Sequence, residues 1–382
     1  MFTGRLMSRK KVSIYTNMPT PNQLDFFDSL SEIAMLKVVY FSSREGNRQW
    51  TLPVNSEKYQ TKLLVDNWLA KQIQKKIPSF HFSNRIMGIA FREQSDCVIL
   101  NGSYWIPNVI LALFILTLRG KKTYFYGEAI FPVVNKVKFI MKKILLFPVS
   151  RFTNGILAVG NKAIDCYKQY GYKNPILNIP YSIDLGPFSY DRIDKEKMGR
   201  LRSRYAPSGE FIFLTSGALI SRKGIDIIIK AFQKLNKPDS TLLILGDGEE
   251  RQNLMNLANG NSNIHFAGFI EKEDMPYYFL LADSFVFGSW YDGWALVINE
   301  AIASGLPIIC SNTVGAAAEL LVDNQSGLIC NPGDVEEFTG AMRRIANDEQ
   351  LRKTLQHNVF ALRRDISSTY NASKVYAVLG VD

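Results

Sequence analysis

Three observations predict an α/β chain built from two Rossmann-like domains. Apolar, strand-like runs alternate with helical patterns, which is how parallel sheets read in sequence. The alternation comes in two halves, and the stretch between them, Tyr181–Pro207, is richer in Pro, Gly and charge, as a crossover between domains is. The chain has 382 residues, more than one ordinary core accommodates.

The first half opens with the strand KVSIYTN, a Pro-rich loop MPTP and the amphipathic helix QLDFFDSLSEIA. Strand-like runs recur at LKVVYF, DCVILNG, KKTYFYG and GILAVG. PNVILALFILTLRG is the most apolar run, too short for the about 20 residues a membrane span needs, and reads as a buried helix. Gly160 precedes a helix capped near Asn161 and stopped by Gly171. The second half restarts with FIFLTSG and continues as helix GIDIIIKAFQKL, strand STLLILGDG, helix EERQNLMNLA, strand NIHFAGF, helix DMPYYFLLA and strand SFVFGS. The helix WALVINEAIASG, the strands of PIICSN and GLICNPGD, and a final helical region complete it. These elements place one domain over 1–184, a second over 185–365, and a segment 366–382 that packs back on the first.

Hydrophobic residues make up 47% and charged residues 21%, ordinary globular proportions. Four cysteines form no C-x-x-C pair and three histidines lie far apart, so no metal signature exists and a reducing compartment is expected. The basic N-terminus has no long apolar core and reads as a tail, not a signal peptide. A net charge of +10 points to phosphate-bearing partners. Nucleic acid is disfavoured, because aromatic interleaving and known binding modules are missing.

In open α/β sheets ligands sit at the carboxyl ends of strands. There the second half carries SGALISRKGID, where Gly217 lets the backbone turn closely and Arg222 and Lys223 stand just before a helix. Two cations beside a helix N-terminus suit a diphosphate, or form a solvated basic turn. LGDGEER, with Gly246, is a strand end that is also an ordinary turn. The loop WYDG leads to a helix whose first amides, near Ala295, Leu296 and Val297, suit a phosphate. Asp292 lies just ahead of that helix and Glu300 inside it, among apolar neighbours; the pair either binds a ligand or serves as helix charge and lysine partner. No P-loop and no G-x-G-x-x-G occurs.

Taken in order, GALISRKGID, GDGEE, FAGFI, LADSFVFGS and the two acids with seven residues between them before A-x-A-x-G-x-P resemble the retaining glycosyltransferases of family 4, among the glycosyl transferases group 1, across Phe211–Asp334. The resemblance implies the GT-B fold, two Rossmann-like domains facing each other across a cleft. It implies that Arg222 and Lys223 hold the diphosphate of a nucleotide sugar and that Glu300 accepts hydrogen bonds from the ribose. Asp292 takes the place of an acid that contacts the transferred sugar, and the amides near Ala295 and Leu296 touch the distal phosphate. Phe269 and Ile270 lie near the base, and Gly217, Gly246, Gly293 and Val297 belong to the same donor set. Three departures stand out: Asp292 is one methylene shorter than the usual Glu, Ala218 replaces a frequent Arg, and NMPTPNQ lacks the glycines of many relatives. Thr20 and Asn22 stand in that last loop, toward phosphate or acceptor.

Glu128 ends the KKTYFYG strand, where relatives place a His or acid beside the reacting carbon; it reads equally as a helix N-terminal acid. Asn101, Ser103 and Tyr104 form a strand-end turn suited to an acceptor, and His81 reads as a surface or satisfied histidine. From Ala129 to Ile164 no acid occurs. Within that stretch NKVKFIMKKILLFPVSR is a basic amphipathic helix with a stripe of Val137, Ile140, Met141, Ile144 and Leu145, lysines on both flanks, and Phe139 and Leu146 opposite. It suits an anionic membrane surface, or is a core helix with solvated lysines.

The expectation is a transferase that moves a sugar from a nucleotide-diphosphate donor to a lipid-linked or oligosaccharide acceptor in surface polysaccharide assembly. It would work in the cytoplasm, peripherally on the inner face of the cell membrane, with no cofactor and no metal. Glu128, Asp292, Arg222 and Lys223 are its catalytic set. A GT-B nucleotide-sugar epimerase and a non-catalytic sugar-nucleotide binder are the alternatives.

Overall fold

The computed structural model describes residues 9–45, 52–130 and 135–380. The tail before Arg9 lies outside them. The chain divides into two units, Met1–Pro180 with Ser368–Asp382, and Tyr181–Ser367.

Among the described residues, the first unit is a parallel sheet of β1 (Lys11–Thr16), β2 (Met35–Tyr40), β3 (Gln60–Leu63), β4 (Cys97–Asn101), β5 (Lys122–Gly127), β6 (Gly155–Ala158) and β7 (Ile176–Asn178), in the order 3-2-1-4-5-6-7. Its helices are α1 (Pro21–Ile33), α2 (Trp68–Gln74), α3 (Arg85–Phe91), α4 (Pro107–Leu118), α5 (Lys136–Phe152) and α6 (Asn161–Gln169). Alternation along β1 builds two cores. Val12 and Ile14 face Phe27 and Leu30 of α1, while Tyr15 faces the cluster with Val109, Leu146 and Ala163.

Several helix boundaries have local causes. Pro21 and Pro107 sit at the first helical positions, where a missing N–H costs nothing. The Asn135 side chain caps α5 by accepting from the amides of Val137 and Lys138. Asn161 is the first residue of α6, not its cap; Gly160 holds that position at φ 82°.

One sequence reading of a helix needs correction, and a second gains its orientation. The α4 run is not buried all round: Val109, Leu113 and Leu116 are, but Phe114 and Leu118 are exposed, because an all-apolar helix carries no periodic sign of which side meets the sheet. On α5, Leu146 and Val149 are buried, and Phe139 stacks on Tyr170 at 4.7 Å. The sides the sequence set opposite the apolar stripe therefore make the core contact, and the stripe itself faces outward.

The second unit repeats the plan with β8 (Phe211–Ser216), β9 (Ser240–Leu245), β10 (Ile264–Gly268), β11 (Ser284–Phe287), β12 (Ile308–Ser311) and β13 (Leu328–Cys330), all parallel, in the order 10-9-8-11-12-13. β8, β9, β11 and β12 are near-continuous apolar runs, as strands covered on both faces must be. The helices are α7 (Lys195–Tyr205), α8 (Ile225–Leu235), α9 (Arg251–Ala258), α10 (Met275–Leu281), α11 (Leu296–Ala303), α12 (Gly315–Leu320), α13 (Val335–Asn347) and α14 (Glu349–Ala361). Much of the stretch expected as crossover is α7, capped by Asp194 and tied to α10 by Arg202, which donates to the Leu281 carbonyl at 3.0 Å.

The last helix, α15 (Ser368–Gly380), belongs to the first unit and packs on α1, where Ala372 and Val375 join the core of Phe27 and Leu30. Among the described residues no helix is long and apolar enough to cross a membrane.

Candidate functional site

The strand order of the second unit reverses direction between β8 and β11. In an open parallel sheet this is the switch point, where the loops leaving two neighbouring strands part and open a crevice. The loop after β8 carries Gly217, Arg222 and Lys223; the loop after β11 carries Asp292, Gly293 and the start of α11. Topology thus brings together residues about 70 positions apart.

Their contacts are direct. Lys223 Nζ lies 2.5 Å from Asp292 Oδ2, and Arg222 lies 3.4 Å from the same oxygen. Arg222 also donates to the Tyr291 carbonyl. The Lys223 and Asp292 side chains are only 14% and 13% exposed, so their attraction is less screened than at an open surface, while Arg222 is 46% exposed and reaches solvent. The Lys223 ammonium also sits 5.1 Å from the Phe287 ring centre.

The backbone here is held tightly. A Cβ on Gly224 would stand 2.1 Å from the Gly288 carbonyl oxygen, and one on Gly246 would stand 1.9 Å from that of Gly217. Only glycine lets the loops after β8, β9 and β11 approach so closely. Ala295 adopts φ 73° at the N-cap of α11, a conformation that costs of order 1–3 kcal/mol for a side-chain-bearing residue. Neighbouring bonds hold it: Gly315 N–H donates to the Asp292 carbonyl at 3.0 Å, and Ala316 N–H to that of Trp294 at 2.8 Å. The Trp294 indole donates to Asn299 at 3.0 Å, and Asn299 donates to the Tyr181 carbonyl at 2.8 Å. Leu296 and Val297 open α11, so their amides lie in its unbonded first turn, and Glu300 is half-buried one turn on.

Asp292 is not a helix charge. Its Oδ1 accepts from Trp294 N–H at 3.3 Å and its Oδ2 serves the two cations. Phe269 is exposed and Ile270 half-buried just past β10, two strands from β8; Gly246 N–H donates to Gly268 O at 2.7 Å and joins that edge to the β9 loop. Sequence reasoning missed Ser289 and Thr313. Ser289 Oγ donates to Arg222 O at 3.1 Å, and Thr313 Oγ1 donates to Ser289 O at 3.0 Å, fixing the turn under the cations. No motif marks them; only their position after β11 and β12 does.

The first unit has its own switch point, between β1 and β4. Thr20 and Asn22 follow β1, with Thr20 Oγ1 donating to Asn22 Oδ1 at 3.0 Å. Asn101 ends β4, and Tyr104 beyond it packs partly into the core, where burial pushes its phenol up. Glu128 follows β5 and is exposed. His81 is fully buried, with Nδ1 3.0 Å from Asp66 and Nε2 3.2 Å from Glu45. Burial opposes its charged form, but the bonds to the two carboxylates outweigh burial and raise its pKa. It clasps the segments following β2 and β3. Among the described residues no group of three His, Cys, Asp or Glu side chains is placed to hold a metal ion.

Comparison with known proteins gives matches in sequence and in fold. The family described as glycosyl transferases group 1 matches residues 200–361. An uncharacterized glycosyltransferase of Haemophilus influenzae is 31% identical over 162 residues, 42% of this chain and 44% of that one. The lipopolysaccharide core biosynthesis glycosyltransferase LpsE of Rhizobium meliloti is 32% identical over 152 residues, 39% of this chain and 43% of its own. The chain thus spans less than half the length of these curated relatives. The crystal structure of HepE from Anabaena, in complex with UDP, superposes with a TM-score of 0.75 at 14% identity, over 97% of this chain and 99% of that one. Residues 200–361 thus match the glycosyl transferases group 1, and the chain as a whole has the GT-B fold of two Rossmann-like units.

Proposed function

We propose that the chain is a retaining, family 4 glycosyltransferase that moves a sugar from a nucleoside-diphosphate donor to a lipid-linked or oligosaccharide acceptor in surface polysaccharide assembly. The observation that carries this reading is the pair of cations, Arg222 and Lys223, gathered with Asp292 at the switch point of the second unit. Arg222 and Lys223 bind the diphosphate, the first amides of α11 take the distal phosphate, Glu300 the ribose, and Phe269 and Ile270 flank the base. Asp292 then stands between the cations and the sugar. In the transfer the bond from the anomeric carbon to the diphosphate oxygen breaks, and the acceptor oxygen bonds to that carbon on the same face. The acceptor proton passes to the leaving diphosphate, whose growing charge Arg222, Lys223 and the α11 amides stabilise. No protein nucleophile, cofactor or metal enters the scheme.

In the first unit Thr20, Asn22, Asn101 and Tyr104 hold the acceptor, and Glu128 serves the reacting end. The acceptor belongs to the inner, anionic face of the cell membrane, where the exposed stripe and lysines of α5 keep the protein. The names of relatives in lipopolysaccharide core biosynthesis support the polysaccharide setting. The test is incubation of the purified chain with labelled sugar nucleotides and lipid-linked saccharide extracts. Acceptor-dependent labelling with retained anomeric configuration is expected. Conversion of donor without acceptor would show an epimerase, and donor binding without turnover a non-catalytic binder; either would overturn the reading.

A further inference from the structure

Three consecutive helices of the first unit form one layer on the sheet, with α4 lying between α3 and α5. Their inner sides fill a core that includes Ile86, Leu113 and Leu146. Their outer sides are apolar as well. On α3 Phe91 is 68% exposed, on α4 Leu118 is 72% exposed, and on α5 Ile144 is 65% exposed. Phe114, Ile140 and Phe147 are exposed beside them. The layer is continuous across its seams: the Arg119 guanidinium lies 5.8 Å from the Phe91 ring centre, and Phe114 packs edge-on to Phe152 at 6.5 Å.

The charge of this layer has one sign. The segments 85–92, 107–121 and 135–152 contain no Asp or Glu, yet carry Arg85, Arg92, Arg119 and Lys121, with four lysines and Arg151 on α5. At 100° per residue, the outward stripe of α5 runs through Val137, Ile140 and Ile144; Lys136 and Lys143 flank it on one side, Lys138 and Lys142 on the other. An apolar surface of this breadth marks a docking face. A second copy of the chain fits it poorly, because a two-fold interface would set these cations against their own images. A lipid surface fits it well: the side-chain rings and branches enter the acyl boundary while the lysine and arginine stems reach back to the phosphates.

We propose that the outer face of α3, α4 and α5 together is the surface by which the first unit lies on an anionic bilayer. This deepens the membrane part of the function proposed above and rests on that reading for its purpose. It goes beyond a single basic helix, because α3 and α4 contribute Phe91, Phe114 and Leu118.

The test is co-sedimentation of the full chain with phosphatidylglycerol vesicles and with phosphatidylcholine vesicles, at low and high salt. Binding to the anionic vesicles that weakens with salt is expected. The double variant Met87→Ser, at an exposed position of α3, with Leu118→Ser changes no charge and leaves α5 and the Phe114–Phe152 contact intact, yet should lose about tenfold or more in vesicle affinity, since two apolar side chains no longer leave water. Its melting temperature and sugar-nucleotide binding should match wild type, which keeps a folding fault apart from a lost surface. Wild-type vesicle affinity in the double variant would overturn the three-helix surface. So would equal binding to both lipids, or a dimer in sedimentation velocity that the variant abolishes. A chain that binds vesicles but no sugar nucleotide would sink the transferase reading and leave this surface standing; the reverse result would do the opposite.

Discussion

At the scale of single residues, the proposed chemistry turns on Lys223. Its ammonium has three donors, and one already meets Asp292 at 2.5 Å. A diphosphate arriving here finds a cation whose position is fixed by its bond to Asp292. Lys223→Ala removes the cation and also leaves the Asp292 carboxylate facing the phosphates with only Arg222 beside it. Turnover should fall by roughly 10²–10³, the scale of one lost charge-stabilising donor. A steady-state assay with purified protein measures this, and full activity would rule out the diphosphate role. Asp292→Asn is the companion variant: it should keep or raise nucleotide affinity by freeing both cations, while lowering turnover. The turn that carries the cations and the helix that carries Glu300 were legible in sequence because they are short local patterns. That Asp292 meets Lys223 was not, since an ion pair across about 70 residues leaves no spacing to read. His81 was harder still: its partners lie 15 and 36 positions away, in loops without a motif.

At the scale of elements, the first unit is tied together beneath its sheet by Glu93, which is 1% exposed. It accepts from Tyr15 at 2.8 Å, from Lys37 at 2.6 Å and from the amides of Gln94 and Ser95 at 2.9 Å each, joining β1, β2 and the turn before β4. Burial pushes its carboxyl up, but the Lys37 bond and those from Ser95 and Tyr15 outweigh burial and bring it from 4.5 down to about 2. Because the folded pKa lies below the unfolded one, the stabilisation is complete above about pH 4.5 and is lost as pH falls toward 2. Glu93→Gln should therefore cost roughly 3 kcal/mol at neutral pH. Urea unfolding across pH should show the gap to wild type closing in acid; a gap that does not change with pH would contradict this.

The same scale shows why some elements escaped the sequence. β3, QTKL, is a polar strand at the sheet edge, where there is no apolar alternation to see. Charge made α7 look like a linker, although Asp194 three residues before Lys197 was a readable cap. α4 was legible as a helix but not in its orientation, because an all-round apolar pattern names no inner face.

At the scale of the molecule, the same strand order appears twice, 3-2-1-4-5-6 within each unit, with a seventh strand added to the first. Each order creates one switch point; Arg222, Lys223 and Asp292 stand at that of the second unit, Thr20 and Asn101 at that of the first, and Glu128 and Phe269 stand away from them. Two α/β units were legible from alternation alone, and the second unit from its ordered motifs; α15 lies with the first unit, on α1. The most direct test of the central claim is calorimetric titration of the purified chain with UDP-, GDP-, ADP- and dTDP-sugars. One nucleotide class should bind, with affinity at least about tenfold weaker in Lys223→Ala and in Glu300→Gln, as expected for losing a hydrogen bond to a charged group. Binding of none, or binding indifferent to both substitutions, would contradict a donor site at this switch point.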